Sequence, residues 1–99
     1  IAESCELILA CLAAEATRPA RDLFSKLARY QAEDGSWWTG YAFADDVMWP
    51  DERPTWTAGA VLLAADALEA RTPASRLFTT ALTDPLEHAQ RPRRLQRRK

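Results

Sequence analysis

Thr57-Ala58-Gly59-Ala60-Val61-Leu62-Leu63-Ala64-Ala65-Asp66-Ala67-Leu68-Glu69-Ala70-Arg71-Thr72-Pro73-Ala74-Ser75-Arg76-Leu77-Phe78 is the stretch on which the fold turns. Its first part, Thr57 to Ala70, is apolar on nearly every face through Val61, Leu62, Leu63, Ala64, Ala65 and Leu68, the composition of a helix covered most of the way round. Its continuation, Pro73 to Thr83, is apolar on one face alone, through Leu77, Phe78, Ala81 and Leu82. Thr72 ahead of Pro73 reads as a helix start, a hydroxyl cap followed by proline at the first helical position. Asp84 ahead of Pro85 reads as its stop.

The same order occurs upstream. Moving the chain by 54 residues sets Ala10 on Ala64, Ala13 on Ala67, Glu15 on Glu69, Ala16 on Ala70, Pro19 on Pro73, Ala20 on Ala74, Leu23 on Leu77 and Phe24 on Phe78. Ala2 to Ala16 is the counterpart of the inner helix, with Cys5, Leu7, Ile8, Leu9, Cys11 and Leu12 spread around it. Pro19 to Gln31 is the counterpart of the one-faced helix, through Leu23, Phe24, Leu27 and Tyr30. Each unit is thus a buried helix, a turn and an amphipathic helix, the layout of concentric helical layers. The β-branched aliphatics are Ile1, Ile8, Val47 and Val61, too few to build a sheet, so the sequence predicts an all-α fold.

Ninety-nine residues, 47% apolar and 27% charged, make one ordinary domain rather than two. Thirteen basic residues stand against 14 acidic ones, which excludes a strongly cationic nucleic-acid binder. Six of the basic residues lie between Arg91 and Lys99, leaving seven against 14 before them. Residues 90–99 are therefore expected to be a solvated, disordered basic tail; peripheral contact with an anionic membrane is the alternative use of such a tail. Cys5 and Cys11 sit in an apolar run without further cysteines and read as reduced thiols. Glu3 and Glu6 stand where a signal peptide needs basic residues, and no apolar run reaches membrane-spanning length, so the reading is cytoplasmic. Ile1 in place of a starting Met suggests a piece of a longer chain.

Between the units runs a loop from about Glu33 to Pro54, with Trp37, Trp38, Trp49 and Trp56 in it or at its edge. A connection of that length in a compact domain is usually functional. It opens on Gln31-Ala32-Glu33-Asp34-Gly35-Ser36-Trp37, which resembles the Q-x-x-x-G-x-W repeat of squalene–hopene cyclases and related terpene cyclases. With Asp34 to Tyr41 and the helix from Trp56 to Leu68, the chain resembles bacterial prenyltransferase and squalene-cyclase repeat proteins over roughly residues 5 to 84. The resemblance implies an α/α-toroid, an α–α barrel, of which residues 1–89 would be the C-terminal segment: repeat units about 5–31 and 57–84, with the QW loop over 31–56 between them. It implies a structural role for Gln31, Gly35 and Trp37, with Gln31 bonding backbone at a neighbouring helix end, Gly35 permitting the turn and Trp37 packing on the loop.

Asp45 and Asp46 are the candidate catalytic residues. Diphosphate-ionising enzymes use Asp-Asp-x-x-Asp to share Mg²⁺, and here the fifth position is Trp49. Protonating cyclases use Asp-x-Asp-Asp, and Phe43-Ala44-Asp45-Asp46 lacks the first carboxylate. The competing reading makes Asp45, Asp46, Asp51 and Glu52 solvated or capping carboxylates of a polar loop. Trp38, Tyr41, Trp49 and Trp56, with Phe43, either line a substrate cavity or plug the gap between units. His88 has no partner motif and no metal-ligand spacing occurs, so no metal is assigned; Mg²⁺ enters only if a diphosphate is ionised. The sequence thus suggests a prenyltransferase- or terpene-cyclase-like sector that binds an isoprenoid, inactive alone and completed by the rest of the toroid or a second copy. The alternative is a non-catalytic helical-repeat module whose Trp-rich loop binds a protein partner or a glycan. A third class, an α/α-toroid glycosidase or lyase, would need two catalytic carboxylates at a set separation.

Overall fold

The structure, a computed structural model, describes residues 1–79. It is mainly helical, with α1 over Ala2–Ala13, α2 over Thr17–Ser25 and α3 over Thr55–Glu69. Single 3-10 turns follow at Leu27–Tyr30 and Pro73–Arg76, and a small antiparallel sheet pairs β1 (Tyr41–Ala42) with β2 (Val47–Met48). The all-α expectation is corrected to this extent: two-residue strands need no β-branched run, only a turn that brings them together.

α1 packs on both α2 and α3, and α2 and α3 also touch each other. The core forms where they meet, from Cys5, Ile8, Ala20, Leu27, Val61 and Ala64, with Leu12, Leu23, Phe24, Tyr30, Trp37 and Leu68 closing its margins. Ile8 is fully buried, and its burial contributes about 2 to 3 kcal/mol. Small residues, Ala20 and Ala64 above all, let the helices approach closely. Thr57 is also fully buried on α3, and its hydroxyl has no hydrogen-bond partner.

The turn after α1 places Glu15 at a φ of 61°, and the amide of Ala16 returns to the Cys11 carbonyl at 2.7 Å, a closure that satisfies the last carbonyls of the helix. α2 then begins at Thr17, with Pro19 in its first turn, where a missing N–H does no harm. It is shorter than the expected Pro19 to Gln31: beyond Ser25 the backbone tightens into the 3-10 turn that carries Leu27 into the core. α3 ends at Ala70, also left-handed, at a φ of 51°.

Thr72 does precede a proline-started turn, but its hydroxyl caps no amide. Both its amide and its hydroxyl donate to the Asp66 carboxylate, at 2.9 and 2.7 Å, and Pro73–Arg76 is a 3-10 turn rather than the start of the long helix expected. Asp66 therefore supplies the acceptors that fix the chain as it leaves α3. The expected helix stop at Asp84-Pro85, His88 and the basic tail lie outside the described residues.

The two helices read as covered most of the way round are covered on one side. α1 buries Ala2, Cys5 and Ile8 and leaves Leu7 exposed; α3 buries Thr57, Val61 and Ala64 and leaves Trp56, Leu62 and Leu63 exposed. Each finds partners along one side alone, so an apolar face remains open along α1 and α3. Among the described residues no helix is long and apolar enough to cross a membrane.

Candidate functional site

The segment between Tyr30 and Pro54 is built as a tight turn followed by a hairpin. Gln31 and Trp37 form an isolated antiparallel bridge, and the Ala32 amide donates to the Ser36 carbonyl at 2.8 Å. Gly35 closes this turn at a φ of 86°, a conformation an L side chain would strain. The Gln31 side-chain amide donates to the Gly35 carbonyl at 3.0 Å, so it braces its own turn and not a neighbouring helix end as expected.

Asp34 accepts from the Ser36 hydroxyl at 2.5 Å and from the Ser36 amide at 3.0 Å, and Arg53 reaches across to it at 3.1 Å. The two bonds from Ser36 hold the Asp34 carboxyl below the usual carboxylate range, with the Arg53 charge adding to them. Arg53 also donates to the Ser36 hydroxyl at 3.1 Å, while its guanidinium lies over the Trp38 ring, 5.2 Å from the centroid. One arginine thus ties the turn, a tryptophan and the approach to α3 together. Sequence reading passed over Arg53 because its partners lie 15 to 19 positions away, beyond any local pattern.

The hairpin is rooted where the Thr39 amide and hydroxyl both donate to the Glu52 carbonyl at 3.2 Å, and the Ile1 nitrogen donates to the Thr39 carbonyl at 2.9 Å. The Trp49 amide then donates to the Gly40 carbonyl at 3.0 Å, followed by Tyr41 opposite Met48 and Ala42 opposite Val47. A Cβ at Gly40 would stand 3.0 Å from the Trp49 carbonyl oxygen, so a side chain at this crossing needs the Trp49 backbone to give by a few tenths of an ångström. Tyr41 is half-buried between Tyr30, at 5.7 Å between ring centroids, and Phe43, edge-on at 5.0 Å.

Asp45 and Asp46 occupy the turn that joins the strands. Both are exposed, and Asp46 takes the left-handed conformation at a φ of 52°, which Asp accepts more readily than most residues. Among the described residues no three His, Cys, Asp or Glu side chains group as metal ligands.

The named aromatics divide between surfaces. Trp38 and Tyr41 are half-buried inside the loop, whereas Trp49 is 67% exposed on the hairpin and Trp56 60% exposed at the start of α3. Trp56 heads an open groove of about 1020 Å³ between α1 and α3, lined also by Ala2, Glu6, Gly59, Ala60 and Leu63; Trp38, Tyr41 and Trp49 take no part in it. Trp37 packs at the margin of the core.

No known protein-family profile matches the chain. It is 46% identical over 77 residues to the MMP endo-(1,4)-3-O-methyl-alpha-D-mannosidase of Mycolicibacterium hassiacum, an alignment that takes in 78% of this chain and 21% of that enzyme. The chain thus spans about a fifth of the length of its relative. This likeness overturns the prenyltransferase and squalene–hopene cyclase resemblance, together with the isoprenoid as binding partner and the prenyl-transfer chemistry drawn from it. The physical reason is visible in the turn: Gln31, Gly35 and Trp37 brace backbone, and a brace of that kind carries no information about what a neighbouring surface binds.

Proposed function

We propose that the chain is one sector of a glycan-cleaving helical protein acting on a (1,4)-linked 3-O-methyl-α-D-mannan, and that its Trp-rich hairpin loop meets the sugar. The identity to the mannosidase carries this reading. Two features of the chain support it. Trp49 and Trp56 present exposed ring faces of the kind that stack on the apolar face of a pyranose. The exposed carboxylates of Asp45, Asp46, Asp51 and Glu52 offer acceptors for sugar hydroxyls around them.

The architecture that suits the reading is a segment of an α/α-toroid. The repeated inner-helix composition of α1 and α3, with their open apolar faces, fits helices that further layers of the same kind would cover. Residues 1–89 would then be the toroid segment, divided as the repeat divides it. Trp38 and Tyr41 stiffen the loop from inside, and Asp45 and Asp46 supply carboxylate oxygens to the glycan at the hairpin tip.

The test is the native polypeptide that carries this sequence, incubated with a 3-O-methylated (1,4)-mannan and followed by product size. Internal cleavage is expected, and an intact polymer overturns the reading. Asp45→Asn and Asp46→Asn then define the carboxylates' part: proton transfer lowers kcat by roughly two to four orders of magnitude, whereas hydroxyl acceptance raises KM and spares kcat.

A further inference from the structure

Successive residues of a strand point to opposite faces, and residues paired across an antiparallel ladder share a face. Tyr41 and Met48 are one such pair; both are half-buried, and Tyr41 lies against Tyr30 at the margin of the core. Ala42 and Val47 therefore turn the other way. The next step along the ladder, where the Trp49 amide bonds the Gly40 carbonyl, puts Trp49 and Gly40 on that same outward face. Val47 is 46% exposed there and Trp49 is the most exposed tryptophan of the chain.

The result is a shallow shelf: an indole, an isopropyl group and a methyl group, with bare backbone at Gly40 across from the indole. None of its four side-chain positions, 40, 42, 47 and 49, carries a hydrogen-bonding group apart from the indole N–H. A free sugar hydroxyl laid on Val47 and Ala42 would lose its water and gain no acceptor, which is unfavourable. A methyl ether has no proton to satisfy, and its methyl group gains apolar contact. The hydroxyls that remain on the sugar find acceptors next to the shelf, in the exposed Asp45 and Asp46 at one end and Asp51 at the other.

We propose that this shelf is a subsite that reads O-methylation, with Trp49 stacked on a sugar ring and Val47 and Ala42 receiving the O-methyl group. The inference rests on the glycan reading above and adds the residues that select the methylated polymer. A single methyl group in an apolar pocket is worth about 10- to 200-fold in selectivity, and an open shelf belongs at the lower end, about tenfold.

The experiment measures binding of (1,4)-linked α-manno-oligosaccharides with and without 3-O-methyl groups to the native polypeptide, to its Trp49→Ala variant and to its Val47→Thr variant. The wild type should prefer the methylated sugar about tenfold. Val47→Thr keeps the shape and β-branching of the side chain but adds a hydroxyl, and it should erode that preference by strengthening the unmethylated ligand relative to the methylated one. Trp49→Ala should weaken both. Equal affinity of the wild type for the two sugars, or a preference that both variants leave unchanged, overturns the shelf while the glycan reading stands. Failure of the wild type to bind either sugar overturns both.

Discussion

Asp34 shows how much of the loop hangs on single side chains. Its carboxylate is held by Ser36 and approached by Arg53, so it sheds its proton more readily in the folded chain than in the unfolded one. An acid whose folded pKa is depressed stabilises the fold above its unfolded pKa, and that stabilisation disappears as pH falls through the folded value. Asp34→Asn should therefore lower the unfolding midpoint at about pH 7, with the gap to wild type narrowing as pH falls below about 4; a gap independent of pH in thermal melts refutes the charge-based account. The turn at Gly35 was expected only as an implication of the Q-x-x-x-G-x-W resemblance, and Gly35 does take the left-handed conformation there. The sequence did not make the pair Asp45-Asp46 legible as the hairpin tip. Adjacent acidic residues invite comparison with catalytic motifs, whereas Asp46 is in the left-handed region that the reversal of the chain demands.

At the scale of elements, helix positions were readable and helix ends were not. Ala and Leu runs marked α1 and α3, and the one-faced pattern of Leu23, Phe24, Leu27 and Tyr30 marked α2, but neither α1 nor α3 closes on the glycine that usually signals a terminus. Glu15 and Ala70 take the left-handed positions instead. An L residue pays about 1 to 2 kcal/mol for that conformation, so Ala70→Gly should stabilise the fold by about 1 kcal/mol, raising the midpoint by about 4 to 8 °C in calorimetry for a domain of this size. A lower midpoint would mean that the flexibility added to the unfolded chain outweighs the strain removed. The hairpin escaped the sequence altogether: strands of two residues are too short to display alternation, and the contacts that define it, Trp49 to Gly40 and Thr39 to Glu52, cross gaps of 9 and 13 positions.

For the molecule as a whole, the 54-residue correspondence was legible because it rests on residue spacing. The isoprenoid expectation failed because the residues resembling a cyclase repeat are those that brace the backbone. The open face of α1 and α3 has a consequence for the 99-residue chain in solution. Leu62, 71% exposed, lies with Leu63 along the open groove, apolar surface that isolated domains rarely leave uncovered. The chain should self-associate at micromolar concentration, and Leu62→Glu combined with Leu63→Gln should shift it to monomer in sedimentation velocity; identical profiles would show that this face drives no association. The hairpin stands apart from all of this. Thr39 and Glu52 already touch, so everything between them is a closed excursion whose two ends meet at fixed points on the helical body. Changing its outward residues re-sets little of the chain entropy, provided Tyr41, which packs on Tyr30 at the core margin, is kept. If the hairpin meets the sugar as proposed, its outward surface is free to change while the helical body stays, and exchanging segment 40–51 between relatives, with Tyr41 kept, is expected to carry a polymer preference with it.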